Sequence, residues 1–423
     1  MGAEASASIG LMETTMWLLG SICSATAAGF YVQVSHQLGS NDPARARSTL
    51  RQGIMSVLVV SALLGLVSLA VSPFLPTWLG GNSHITPTAS AYFAIVATAL
   101  PIFQFSIFGA GMLRSSGNMV VPSVMSVVMM SLDVVFNFFL IFPTRPVELF
   151  GTQIMMPGMG MGVMGAAIGT VSAELVAASI TMYILCFRSK ELSLRIDTGR
   201  FLPTWGVVKR ALHISLPMGL QQTIMCSAYV MTTIIIAPLG TFAIAANSFG
   251  IIIESLCYMP GYGIADAATT LVGQSMGAGR HELMKRFAWL SVGLGVTVMA
   301  VMGVVMYVGA PTAMAMMTPA EEVRRLGVEV LRIEAFAEPM FAAAIVSYGV
   351  FVGAAKTLVP SIMNLISIWG VRISLAAMLA PSMGLRGVWI AMCIELCFRG
   401  LIFLVKLKFW NIKTSCKYYG KDQ

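Results

Sequence analysis

The 423-residue chain is 57% hydrophobic and only 10% charged, with a formal charge of +8 and a mean hydropathy of +0.83. Soluble domains carry about 25% charged residues, so a water-soluble globular body is excluded and the surface must face lipid. Nucleic acid is not the expected partner of the positive charge, because the basic residues are distributed in a membrane pattern.

A helical bilayer crossing takes about 20 apolar residues. In chain order the sequence predicts eleven such runs, at 5–34, 52–76, 88–113, 119–142, 160–187, 208–238, 241–272, 285–309, 322–354, 357–380 and 385–410. A β-barrel would show short alternating segments instead. In lipid each backbone polar group needs a partner within its own segment, so the runs are read as helices. The expected fold is an all-α integral membrane protein. The longest polar stretch, 187–207, reads as a linker between an N-terminal lobe at 1–186 and a C-terminal lobe at 208–410, with a tail at 411–423.

Most basic residues fall in alternate loops: Arg45, Arg47 and Arg51; Arg114; Arg188, Lys190, Arg195, Arg200, Lys209 and Arg210; Arg280, Lys285 and Arg286; then Lys356. The tail region adds Lys406, Lys408, Lys413, Lys417 and Lys421. Positive charge marks the cytoplasmic side of membrane proteins. The pattern predicts a multi-pass plasma (inner) membrane protein with a cytoplasmic C-terminus. The seven cysteines form no Cys-x-x-Cys pair and the four histidines show no metal-ligand spacing, so no metal and no cofactor is expected.

The chain repeats itself at an offset of 238 residues. Val121-Pro122-Ser123-Val124-Met125 recurs as Val359-Pro360-Ser361-Ile362-Met363, Pro101 pairs with Pro339, Gly111 with Gly349, Gly39 with Gly277 and Gly2 with Gly240. After a longer loop the offset becomes 222, which pairs Gly162, Gly165 and Ile168 with Gly384, Gly387 and Ile390. Two such copies, each with an even number of spans, predict two six-helix bundles related by a parallel repeat, as in many secondary transporters. The expectation is two bundles flanking a cavity and rocking to give alternating access. The span at 208–238 has no counterpart in the first copy, so the first helix of the first bundle is expected to be missing from this chain.

Several segments resemble the multidrug and toxic compound extrusion (MATE) family: Leu216-Pro217-Met218-Gly219-Leu220, Ala237-Pro238-Leu239-Gly240-Thr241, Met259-Pro260-Gly261 and Val272-Gly273-Gln274-Ser275-Met276-Gly277-Ala278-Gly279. In the first half, Leu113-Arg114-Ser115-Ser116-Gly117-Asn118 and the run from Gly162 to Thr170 are similar to its short signatures. The resemblance spans essentially the whole chain. It implies twelve helices in two lobes and export of organic cations or other amphipaths in exchange for Na⁺ or H⁺.

Ionisable groups at the centre of a bilayer cost about 2.5–3.5 kcal/mol each on insertion scales, which makes them functional candidates. Asp133 and Asn137 lie four residues apart on one face of the fourth span, and Thr170 is expected at the depth of Asp133. Together these oxygens suit a hard cation; alternatively Asp133 exchanges a proton. Glu174 extends the same path. The resemblance implies Asn-x-x-x-Asp here with a downstream Thr. This chain has the two residue types exchanged. In the second half, Glu254 is the candidate for a cationic substrate, with Gln221, Gln222 and Tyr229 as further cavity residues. Glu395 and Arg399, also four apart, are expected to satisfy each other, and Arg332 and Arg372 to partner Glu334 or Glu338. Pro101, Pro217, Pro260 and Pro339 fall inside spans, where proline removes a backbone hydrogen bond and kinks the helix, so they are hinge candidates.

The expected function is a secondary antiporter exporting organic cations, drugs or amphipathic metabolites in exchange for H⁺ or Na⁺, acting as a monomer in the lipid bilayer. A flippase for a lipid-linked precursor is the alternative, although its polyanionic cargo calls for more basic residues within the spans. A membrane enzyme or receptor is disfavoured: there is no nucleophile motif and no glycine-rich phosphate loop beside a strand.

Overall fold

The computed structural model describes residues 3–81, 84–149 and 152–410. The 411–423 tail, with Lys413, Lys417 and Lys421, lies outside the described residues, as does Gly2 of the repeat. Among the described residues nine helices are long and apolar enough to cross a membrane, and two bent helix pairs bring the total to eleven if each pair is one span. The chain divides into two compact units, the first running to Leu216 and the second from Pro217 onward, with the turn Gly39–Asn41 grouped in the second.

The first unit contains α1 (Ala3–Gly39), α2 (Pro43–Val71), the short α3 (Leu75–Trp78), α4 (Thr86–Thr98), α5 (Leu100–Ser115), α6 (Val120–Ile141) and α7 (Gly162–Tyr183). The start of α2 is set locally. The Asp42 side chain accepts the Arg45 backbone N–H at 2.9 Å, and Pro43 occupies a first-turn position that has no hydrogen bond to lose. The core of this unit joins Phe30, Leu50, Phe108, Leu113 and Leu185, with the Phe30 and Phe108 rings edge-on at 6.4 Å. On α6 the residues Val120, Val124, Val127 and Val134 recur at helical spacing and are exposed, an apolar stripe suited to lipid.

The sequence reading places no strand between the fourth and fifth spans. The structure has an antiparallel hairpin there, β1 (Pro143–Leu149) against β2 (Thr152–Met159), with Arg145 opposite Met156 and an irregularity between Pro143 and Arg145. Prolines 143, 146 and 157 forbid helix in this segment, and backbone pairing with itself is the remaining way to satisfy it. The Arg145 guanidinium closes the base of the hairpin, 3.8 Å from the Phe142 ring centroid.

A π-helical turn, Ile184–Arg188, ends α7 and leads into the polar linker. The linker is stitched to the first unit. Arg47 donates from Nε to Asp197 Oδ2 at 2.7 Å and from Nη1 to the Glu191 carbonyl at 3.0 Å. Arg51 also grips Asp197. Gln52 Oε1 accepts from the backbone N–H and the hydroxyl of Thr204, at 2.8 and 2.9 Å. The hydrogen bonds from Arg51 and then Arg47 hold the Asp197 carboxyl below the usual carboxylate range.

The second unit comprises most of α8 (Trp205–Ile236), α9 (Thr241–Gly277), α10 (His281–Met317), α11 (Glu321–Glu334), α12 (Glu338–Gly353), α13 (Leu358–Leu365), α14 (Ser374–Met383) and α15 (Leu385–Lys408). A π-helical stretch, Ile366–Ile373, joins α13 to α14. Its core gathers Ile253, Met306, Val330, Leu385 and Trp389. The Trp389 indole N–H donates to Asn247 Oδ1 at 3.0 Å, so the largest buried side chain also has its polar atom satisfied.

The proline positions differ between spans. Two spans read as single runs from sequence are broken: α4 and α5 meet at 48°, and α11 and α12 at 59°. Pro101 and Pro339 lie just after these breaks, in the first turns of α5 and α12. Because the two prolines are repeat equivalents, the same missing donor and ring clash bend the same span in each half. Pro217 and Pro260 remain inside the continuous helices α8 and α9.

Candidate functional site

In the first unit the site is built where α6 and α7 run side by side. Gly165 packs against the Leu140 backbone and Gly169 against Asn137, so closely that a Cβ on Gly169 would overlap the Asn137 amide oxygen. This register sets the levels. Gly169, the neighbour of Thr170 in the chain, lies beside Asn137, and the next turn inward brings Asp133 towards Glu174 rather than Thr170. The depth match expected for Asp133 and Thr170 is therefore shifted by about one turn.

Asp133 and Asn137 are half-buried, and the Oδ1 atom of each is shielded with no hydrogen-bond partner among the described residues. Glu174 is buried and accepts a hydrogen bond from Ser106 of α5. Asp133 stands within electrostatic reach of Glu174 and of Tyr92 on α4, and Tyr92 within reach of Glu13 on α1. Helices α4, α5 and α6 all contact α7, which brings polar groups from four helices of three spans together. Thr170 is half-buried on the same stretch of α7. Sequence reasoning passed over Glu13, Tyr92 and Ser106. The only signal was an acid or a hydroxyl inside an apolar run, and such groups more often satisfy their own helix backbone.

The second unit carries a larger buried charge cluster. Glu395, on α15, accepts from Arg399 Nε at 2.7 Å, Arg399 Nη2 at 2.7 Å, Arg372 Nε at 3.0 Å and the Ser367 hydroxyl at 2.5 Å. The pairing of Glu395 with Arg399 is as expected. The reading of Arg332 and Arg372 as partners of Glu334 or Glu338 is corrected. Arg372 is taken by Glu395 across helices, and Arg332 is exposed, with its guanidinium 5.2 Å from the Tyr307 ring centroid. Sequence separation cannot reveal which of several helices an arginine reaches.

As a result Glu334 and Glu338, both fully buried at the break between α11 and α12, have no hydrogen-bond partner on any carboxyl oxygen among the described residues. Glu254 on α9 is buried within electrostatic reach of Arg372, Arg399, Glu334 and Glu338. Aromatic rings flank this cluster: Tyr258 meets Tyr262 at 5.7 Å and Phe341 at 5.6 Å, and the Arg399 guanidinium lies 5.8 Å from the Phe341 centroid. Tyr229 is largely exposed yet within electrostatic reach of Arg372 and Tyr262. Gln221 is buried with Oε1 unpartnered among the described residues, and Gln222 is half-buried.

Eleven candidate crossings and carboxylates buried at the level of apolar helices define a polytopic membrane transporter, since charges held in lipid at such expense mark ion or substrate paths. The MatE family pattern matches residues 1–139 and 217–378, and the chain belongs to that family of membrane transporters. Among curated relatives it is 24% identical over 407 residues to a probable multidrug resistance protein NorM of Thermotoga maritima, covering 95% of this chain and 84% of the relative. It is also 24% identical over 294 residues to an FAD transporter of Shewanella oneidensis, covering 69% and 62% of the two chains. Among solved structures, an outward-facing multidrug resistance MATE family transporter of the MOP superfamily superposes with a TM-score of 0.87 at 18% identity, covering 99% of this chain and 90% of that one. At that identity the likeness establishes the fold.

Proposed function

We propose that this protein is an antiporter that exports organic cations or amphipathic small molecules in exchange for H⁺ or Na⁺ by alternating access. Asp133, Asn137, Thr170 and Glu174 form its coupling set. The observation that carries this reading is the pair of shielded, unpartnered oxygens on Asp133 and Asn137. A buried polar atom without a partner costs free energy, and a coordinated cation or a transferred proton relieves that cost. Glu254, Gln221, Gln222 and Tyr229 contact the substrate, Glu254 supplying the negative charge. Pro101, Pro217, Pro260 and Pro339 are the hinges of the spans that move. The protein works as a monomer in the plasma (inner) membrane with its basic loops and C-terminus in the cytoplasm.

A second reading of the coupling site draws on Glu334 and Glu338, whose four carboxyl oxygens are buried without partners among the described residues. In that reading Glu254, Glu334 and Glu338 carry the exchanged ion. The flippase alternative has less support. Arg372 and Arg399 are both paired with Glu395, and a polyanionic headgroup would have to displace that pairing.

The test is ethidium efflux from proteoliposomes under imposed H⁺ or Na⁺ gradients, comparing the native protein with Asp133→Asn. Gradient-driven efflux is expected to collapse in the variant while ethidium binding persists. Unchanged coupled efflux removes Asp133 from the mechanism.

A further inference from the structure

We propose that the first unit holds an anionic phospholipid in a groove at its basic end, with an acyl chain between the helices and the headgroup on an arginine rim. This goes beyond the transport reading and does not depend on which ion or substrate is carried. The groove has a volume of about 540 Å³ and is walled by Ile54 of α2, Phe105 of α5, Ala178 and Met182 of α7, Phe187 of the π-helical turn and Leu194 of the linker. Almost all of its lining is apolar, which suits hydrocarbon.

The rim has the opposite character. Arg188, Arg195 and Arg200 each sit next in the chain to a lining residue (Phe187, Leu194 and Phe201 respectively), and all three are exposed, as is Lys190. The Arg195 guanidinium lies 4.9 Å from the Phe187 ring centroid, directly over the groove wall. Of the two acids in this stretch, Asp197 is already bound by Arg47 and Arg51, leaving Glu191 exposed. The rim therefore keeps an excess of positive charge. Tyr183, Phe187, Phe201 and Trp205 are exposed at the same end, as aromatic side chains are at a bilayer interface. An apolar slot, an aromatic band and a cationic edge occur in the order of a phospholipid's tail, glycerol region and anionic headgroup. A transported cation would meet like charge at this mouth, and a zwitterionic lipid would bring its own cation to the arginines along with its phosphate.

The groove is not an inevitable product of the repeated fold. Ala178 lines it, whereas the repeat equivalent, Gly400, packs directly on the backbone of Met340, itself the equivalent of the lining residue Ile102. The corresponding seam in the second unit is thus closed by helix contact. In the first unit the extra residue of a π-helical turn, a feature frequent at functional sites, ends α7 where the groove opens.

The experiment is native mass spectrometry of the full chain, released from nanodiscs containing equal amounts of phosphatidylglycerol and phosphatidylcholine. The native protein is expected to retain phosphatidylglycerol about tenfold over phosphatidylcholine, in keeping with the attraction of arginines for anionic lipid. Arg195→Glu with Arg200→Glu should bring the ratio to parity, and Ala178→Phe should lower retention of both lipids by filling the slot. Because Arg195 and Arg200 are exposed, their reversal leaves the packing intact and decides the matter even if Ala178→Phe fails to fold. Equal retention of both lipids by the native protein, or a preference unchanged by charge reversal, overturns the proposal. So does displacement of the retained lipid by ethidium at the same groove.

Discussion

Arg399 clamps Glu395 at two points one helical turn away on α15, Nε to Oε1 and Nη2 to Oε2, both at 2.7 Å. Arg372 adds two more contacts from the π-helical stretch, Nε at 3.0 Å and Nη2 at 2.8 Å from Oε2, so one acid holds two cations in a site from which water is largely excluded. Removing one partner of a buried pair strands the other, at roughly 3–5 kcal/mol. Glu395→Ala is therefore expected to lower the thermal unfolding midpoint sharply in detergent, whereas Ser367→Ala, which deletes a single hydrogen bond to the same carboxylate, should cost about 1 kcal/mol. Equal effects from the two variants would mean that the clamp is not what holds this part of the unit.

The two carboxylate sets make opposite predictions for coupling. If Glu334 and Glu338 carry the ion, Glu334→Gln with Glu338→Gln should abolish gradient-driven efflux and leave Asp133→Asn active. If the first unit couples, the order reverses. Each substitution keeps the size of the side chain and adds no buried charge, so neither variant is expected to unfold the protein. Measuring efflux and unfolding on the same preparations separates a coupling defect from a folding one.

Gly169 permits the close approach of α7 to α6 at Asn137. Gly169→Val forces the helices apart or drives the Asn137 amide from its place. Overpacking of this kind costs typically 1–3 kcal/mol. The prediction is lower stability together with lost coupling. Gly162→Ala, at the start of α7, where a Cβ meets nothing nearby, serves as a contrast: its strained backbone angle affects the helix start without disturbing Asn137.

The linker gives a pH-dependent prediction. Arg51 and Arg47 hold the Asp197 carboxyl below the usual value, which is about 3.9 in unstructured peptides. A depressed value means that the attachment is fully present above that pH and is lost as the pH falls through the lower folded value. Protease cleavage between 189 and 204 is expected to stay slow at neutral pH and to accelerate below about pH 4. Asp197→Asn should show the fast rate throughout. Cleavage of that variant at the native rate would show that Gln52 and Thr204 suffice to fasten the linker.

The sequence by itself determined the spans, the repeat and which residues share a helix face. In lipid the backbone must satisfy itself within each segment, so length and apolarity fix a helix before any tertiary contact forms. For the same reason the repeated prolines at 101 and 339 announced bends at equivalent places, and Asp133 with Asn137 announced one polar face. Tertiary structure alone decided the partners. The α6–α7 register placed Asp133 towards Glu174 instead of Thr170, and packing of α15 on the π-helical stretch gave Arg372 to Glu395, leaving the carboxyl oxygens of Glu334 and Glu338 without a hydrogen-bond partner among the described residues. Rotation and translation of one helix against another come from many small packing terms summed along its length. No local pattern of residues encodes that sum, and the chemistry of both candidate sites depends on it.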